Sequence, residues 1–195
     1  MRTSTTLRGR ELLAAAAILI VALSTACSGQ APSVAPSPAL TTSADSPPEV
    51  ERPLDATATA DAPCERLLSP VELHQFGISA AGRTRTYGAV DECAWTSSSD
   101  DRLRIGVVTT RDLLADTYRS EHSPIFEPTT VEGYPAVRQR TSPSYNTCEV
   151  TLGLGGKQAL ETDWTGSAPV SPSVDPCARA EQAIALVIRK LPPQK

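Results

Sequence analysis

Five cysteines carry the most definite chemistry in this chain: Cys27, Cys64, Cys93, Cys148 and Cys177. Thiols can be acylated, oxidised in pairs, bound to a metal or used as nucleophiles. A four-cysteine zinc site is disfavoured, because no two of them stand at the C-x₂₋₄-C spacing that supplies adjacent ligands. If Cys27 is set apart, four remain. Outside the cytosol an even number reads as two disulfides, with three pairings open.

The other reactive side chains are sparse. There are two histidines. His74 falls in a predicted helix and reads as a solvated helix residue. His122 sits in Glu121-His122-Ser123-Pro124, but a catalytic triad is defined by spatial geometry and not by adjacency in sequence. An anchored hydrolase is therefore the weakest of three functional readings. No G-x-S-x-G elbow, H-E-x-x-H pair or P-loop occurs. Gly153 to Gly156 is a turn, since no Lys-Ser/Thr and helix follow it. Asp91-Glu92 and Asp100-Asp101 lack an EF-hand pattern and read as solvated acids. Arg83, Arg85, Arg102 and Arg104 form a basic cluster that could meet an anionic partner; the plainer reading is surface arginines balancing nearby acids. Tyr134, in Gly133-Tyr134-Pro135, is the candidate partner contact, because a rigid aromatic at a turn loses little entropy on binding. Its alternative role is to pack over the sheet edge and fix the turn. No metal or cofactor is expected.

Cys27 gains its meaning from what precedes it. Arg2, Arg8 and Arg10 give a basic start, and Leu12 to Leu23 is an unbroken apolar run. At about a dozen residues it is too short for a bilayer, which needs roughly 20, and suits a signal-peptide core. Leu23-Ser24-Thr25-Ala26-Cys27 then resembles a bacterial lipobox, with Ser24 where leucine is usual. Residues 1–26 are expected to be removed as a lipoprotein signal peptide, and Cys27 to be lipidated (palmitate among the acyl groups). More than one acyl chain makes a stable anchor, at about 0.8 kcal/mol per buried methylene. Without acylation Cys27 would be an odd thiol in an exported protein.

Residues 27–62 are rich in Pro, Ala, Ser and Thr and lack apolar periodicity. Such a stretch buries too little apolar surface to offset its ordering entropy, so it is expected to be a disordered tether. As a flexible coil it would reach roughly 30–35 Å, and about 110 Å if extended as polyproline II. The leader's three arginines and Glu11 hold a surplus of two positive charges, so its removal takes the net charge from −4 to −6. That acidity opposes nucleic-acid binding, and opposes holding anionic lipid by charge alone.

Residues 63–193 are the size of one domain. Ser69-Pro70-Val71-Glu72 is a capping box with proline at the first helical position, and predicts a helix to Phe76 ended by Gly77. Strands are predicted at Cys93–Thr96 and at Leu103–Val107, where apolar and polar residues alternate. A short helix follows at Asp112–Arg119. Four more strands are predicted at Phe126–Val131, Ala136–Arg140, Cys148–Leu152 and Leu160–Trp164. Asp175 caps and Pro176 opens the last helix, whose stripe is Cys177, Ala180, Ile184, Val187 and Leu191. The expected fold is α+β: one antiparallel sheet of about six strands with three helices packed on it. On this layout Cys64 and Cys93 tie the first helix region to the first strand, and Cys148 and Cys177 tie a central strand to the last helix, which favours sequential pairing.

Five motifs in order carry a family resemblance: Pro63-Cys64-Glu65-Arg66-Leu67-Leu68-Ser69-Pro70-Val71-Glu72-Leu73, Cys93-Ala94-Trp95, Val131-Glu132-Gly133-Tyr134-Pro135-Ala136-Val137, Cys148-Glu149-Val150, and Asp175-Pro176-Cys177 before Leu191-Pro192. This pattern resembles actinobacterial lipoproteins of the domain of unknown function numbered 3558. The resemblance implies an envelope lipoprotein with paired cysteines, and no agreed activity. In layout the domain is also similar to sensor domains of mycobacterial receptor kinases and to mycobacterial lipoproteins of Mog1/PsbP-like α/β/α form. The expectation is an extracytoplasmic protein held at the outer face of the membrane or cell envelope. It would act without catalysis as a binding or interaction module for an unknown envelope protein, or else bind a small apolar or envelope ligand in a sheet–helix cleft.

Overall fold

The structure, a computed structural model, describes residues 46–88, 90–120, 123–167 and 175–195. Its framework is one open antiparallel sheet of seven strands: β1 (Arg83–Tyr87), β2 (Val90–Thr96), β3 (Arg102–Val108), β4 (Ile125–Val131), β5 (Tyr134–Arg140), β6 (Thr147–Gly155) and β7 (Gln158–Thr165). They lie in the order β1-β2-β3-β7-β6-β5-β4. Five helices are interspersed: α1 (Thr57–Asp61), α2 (Pro63–Arg66), α3 (Pro70–His74), α4 (Leu113–Arg119) and α5 (Pro176–Ile188).

The period-two patterns decide which face of the sheet is covered. Leu103, Ile105 and Val107 of β3, Val150, Leu152 and Leu154 of β6, and Leu160 and Trp164 of β7 all join the main core. Cross-strand partners such as Leu103↔Trp164 and Leu152↔Leu160 put them on one face. Over that face lies α5, which brings Cys177, Ala180, Ala183, Ile184, Val187 and Ile188, all buried. The Asp175 carboxylate accepts from the backbone N–H of Cys177 at 2.9 Å and starts this helix. Arg138 of β5 grips Glu181 of α5 through two bonds of 2.6 and 2.7 Å, a forked contact that fixes the helix's rotation. Cys148 and Cys177 are joined beneath it, and Cys64 and Cys93 join α2 to β2, the sequential pairing.

The opposite face is covered only in part. There α4 packs Leu114 and Tyr118 against Val137, and Tyr118 meets Phe126 edge-on at 5.3 Å. Gly153 permits the approach: a Cβ there would lie 2.9 Å from Cδ2 of Leu114.

Three expectations are corrected. The described residues form five helices and not three, because α1 and α2, of five and four residues, are too short to show an apolar stripe. The sheet has seven strands and not about six, because β1 was missed. All five β1 residues are exposed, so this edge strand shows no buried alternation and is held by its backbone pairing to β2. The ordered chain also reaches into the segment expected to be tether. Leu54 donates to the Leu154 carbonyl at 2.9 Å, Asp55 to that of Pro192 at 2.8 Å, and Ala56 is fully buried. A few backbone bonds and one small side chain fix this stretch, and neither leaves a mark in apolar periodicity.

Candidate functional site

A cleft of about 730 Å³ opens between α2, α3 and the loop that leads into β1. Local sequence explains its walls. The Ser69 hydroxyl and the Glu72 carboxylate cap α3 reciprocally, and Pro70 occupies the first turn. Glu72 also accepts from Lys190 Nζ at 2.7 Å, and the same ammonium reaches the Leu67 carbonyl at 2.7 Å, so α3 is tied to the end of α5. Burial would raise the Glu72 pKa, but the Lys190 and Ser69 bonds outweigh it and hold the carboxyl below its ordinary value. Gly77 turns the chain with φ +69°, and Ile78 then drops into the core, 1% exposed.

Leu68, Leu73, Ile78 and Trp95 form the cleft floor, and all four are buried. The indole N–H of Trp95 has no hydrogen-bond partner there. Gly82 lies directly over it: a Cβ at this position would collide with Cys93 Sγ and the Trp95 indole. The rim is polar, with Glu65 and the exposed His74.

A second pocket, of about 380 Å³, lies on the other face of β2, where Arg85, Arg102 and Arg104 come together with Thr96, Thr165 and Asp163. The balance expected of the arginines holds for one of them. Arg104 lies 3.4 Å from Asp163 and 3.8 Å from Glu92. Burial opposes its charge, yet these two carboxylates raise its pKa. Arg85 and Arg102 form no ion pair among the described residues. Beyond Asp163, the same face carries Glu149 and Glu161. Burial first, then the neighbouring Glu161 and Asp163 charges, push Glu149 up to about 7; burial likewise raises Glu161.

The remaining candidates are placed as follows. The Tyr134 hydroxyl donates to the Arg52 carbonyl at 2.9 Å and its ring packs against the core, the turn-fixing alternative raised above. Asp101 accepts from the Ser167 N–H at 2.8 Å and from the Ser99 hydroxyl at 2.9 Å, which closes the β2–β3 turn against the chain after β7. Burial opposes ionisation of Asp101, but these bonds keep its pKa low. Among the described residues no cluster of three His, Cys, Asp or Glu could hold a metal ion. Likewise, no helix among them is long and apolar enough to cross a membrane. Cys27, the leader, Glu121 and His122 lie outside the described residues.

Sequence reading missed the cleft. Its floor residues are spread over the α2–α3 link, α3, the following loop and β2, and they meet through core packing and the bond between Cys64 and Cys93. The signal that was present is the run Ser79-Ala80-Ala81-Gly82, small residues that let the loop lie close over an indole.

No curated protein and no solved structure matches the chain. The sequence profile described as protein of unknown function (DUF3558) matches residues 22–190, and the chain belongs to that family.

Proposed function

We propose that this chain is an exported lipoprotein, anchored at the outer face of the membrane or cell envelope by lipid on Cys27, whose domain is a non-catalytic binding module that takes an apolar ligand in the sheet–helix cleft. The observation that carries the ligand reading is the cleft floor: four buried apolar side chains and one indole N–H with nothing to donate to. A volume of about 730 Å³ falls within the usual range for small-molecule sites, roughly 300–1,000 Å³. An unsatisfied buried donor costs about 1–3 kcal/mol, which a ligand acceptor would recover once the loop of residues 79–82, which covers the N–H, lifts. A protein partner is less well supported. Among the described residues the most exposed large apolar side chains, Val71 of α3, Tyr87 of β1 and Tyr145 of the β5–β6 turn, come from three separate parts of the chain.

Two features support the anchor. The four domain cysteines are consumed in pairs, which leaves Cys27 as the odd one. The family match begins at residue 22, so it includes the lipobox-like stretch. Helices on both faces of the sheet support the Mog1/PsbP-like or receptor-kinase sensor layout.

The ligand reading is tested on the mature chain carrying Cys27→Ser, labelled with ¹⁵N at tryptophan and titrated with dodecyl maltoside below its micelle concentration. The expected result is a saturable shift of the Trp95 indole N–H signal with Trp164 unmoved. Two unmoved signals would overturn the ligand reading. For the anchor, Cys27→Ala should release soluble protein or stall processing; unchanged membrane attachment would count against lipidation.

A further inference from the structure

The apolar cleft and the arginine pocket lie on opposite faces of β2, yet they are connected. A cavity of about 250 Å³ runs past the start of β1 and shares residues with both. It meets the cleft at Ala80 and Ala81, and the arginine pocket at Arg85, Ala94 and Thr96. The three hollows thus adjoin through shared wall residues, in sequence from the apolar cleft, past the small-residue loop, to the guanidinium groups.

We propose that the ligand is an anionic amphiphile, with its apolar body in the cleft and its phosphate- or carboxylate-type head held by Arg85 and Arg102 on the far face of β2. This rests on the cleft being a ligand site, as proposed above.

The pocket lining, and not the strand register alone, brings the two arginines together. Arg83 pairs with Ala94 and Arg85 with Glu92 on one side of β2, while Arg104 pairs with Ala94 and Arg102 with Thr96 on the other. Neighbouring strands are about 4.8 Å apart, so β1 and β3 flank β2 at roughly 10 Å. The outward side chains of β2 here are Ala94 and Thr96, small enough to leave space between the two arginine-bearing strands. An oxyanion above them is within reach of long side chains from both sides. Arg104 is engaged by Asp163 and Glu92, which compensate its charge and fix it in place. Arg85 and Arg102 form no ion pair among the described residues, although Glu92 stands across from Arg85 and Asp163 lines the same pocket; a ligand oxyanion would give each guanidinium a direct partner.

The chain's net charge cannot supply this attraction, since it is −4. Recognition must come from the local pairing of an arginine strip with an apolar cleft, which selects a molecule with both properties and not a charged surface as such.

The test uses the mature Cys27→Ser chain and three probes in calorimetric titration: dodecyl phosphate, dodecyl maltoside and inorganic phosphate. Dodecyl phosphate should bind about tenfold or more tightly than dodecyl maltoside, and inorganic phosphate far more weakly than either. The double variant Arg85→Gln/Arg102→Gln, on exposed side chains, should erase the gap between the two amphiphiles and leave maltoside affinity unchanged. Equal affinity for the two amphiphiles, or a gap that survives the double variant, overturns the head assignment while the cleft reading stands. Inorganic phosphate binding as tightly as dodecyl phosphate marks a free-anion site and also overturns the proposal. Failure of both amphiphiles to bind removes the cleft reading itself.

Discussion

The hydroxyl of Tyr134 donates to the backbone carbonyl of Arg52 at 2.9 Å and joins positions 82 residues apart. The bond ties the turn between β4 and β5 to the strand-like entry of the chain. Gln194 works on the same segment from the other terminus: its N–H donates to the Pro53 carbonyl at 2.9 Å. The segment around Arg52 and Pro53 is thus clasped by a tyrosine and by the C-terminal segment. It enters at the end of the sheet that carries the Gly155–Gly156 turn, and the arginine pocket opens toward the other end.

Replacing Tyr134 by Phe removes this bond and keeps the ring. A net hydrogen bond of this kind contributes about 0.5–1.5 kcal/mol. The expected outcome is a small drop in the denaturation midpoint and faster proteolytic clipping before Leu54, followed by mass spectrometry. A clipping rate equal to that of the parent chain would show that Tyr134 does not hold the segment.

The two disulfides should be nearly equal in effect. Each closes a sequence separation of 29 residues, between Cα atoms 4.9 and 5.0 Å apart. Chain entropy gives about 3–4 kcal/mol for a loop of that length. Replacing Cys148 and Cys177 by Ser should lower unfolding free energy by about that amount, measured in urea. Cys64→Ser/Cys93→Ser should do the same and also disturb the Trp95 indole signal, because Gly82 lies against both Cys93 Sγ and the indole. A Trp95 spectrum unchanged by loss of the Cys64–Cys93 link would detach the cleft from that bridge.

Legibility in sequence followed burial. The stripe on α5 and the alternation in β3, β6 and β7 were readable because large apolar side chains recur at the helical or two-residue period, even where the intervening Gly106, Thr151, Gly153 and Ala159 are buried too. The cap at Ser69 was readable because Glu72 stands at the reciprocal position. β1 was not readable, since a strand with both faces exposed, Arg-Thr-Arg-Thr-Tyr, looks like a loop. The arginines were visible as a cluster, but whether an acid satisfied each of them depended on register. Arg104 lies across from Asp163, whereas Arg102 lies across from Thr165.

Glu149 predicts a loss of stability toward alkaline pH. Its carboxyl rises from 4.5 to about 7 in the fold, by burial first and then by Glu161 and Asp163, with Arg104 opposing. A raised acid is protonated in the folded state where the unfolded chain has already lost its proton. Stability therefore falls as pH rises from about 4.5 through about 7, and the penalty is complete above that. Glu161 adds in the same direction. Glu72 and Asp101, with lowered values, act oppositely and cost stability only on acidification. Glu149→Gln should accordingly raise unfolding free energy at pH 8 by on the order of 2 kcal/mol and leave it nearly unchanged at pH 5. An equal gain at both pH values would assign the effect to packing and not to charge.

Gly82 offers the most direct probe of the cleft floor. A methyl at this position would press on Cys93 Sγ and on the Trp95 indole, both buried and unable to swing away. Overpacking of this kind costs about 1–3 kcal/mol, and relief requires the loop of residues 79–82 to lift. Lifting the loop would open the covered N–H of Trp95. Gly82→Ala should therefore lower the urea midpoint and at the same time speed hydrogen exchange at the Trp95 indole, with Trp164 as the internal control. A destabilised variant in which both indoles exchange faster by the same factor would mean general loosening, and would remove the loop as the cover of the site.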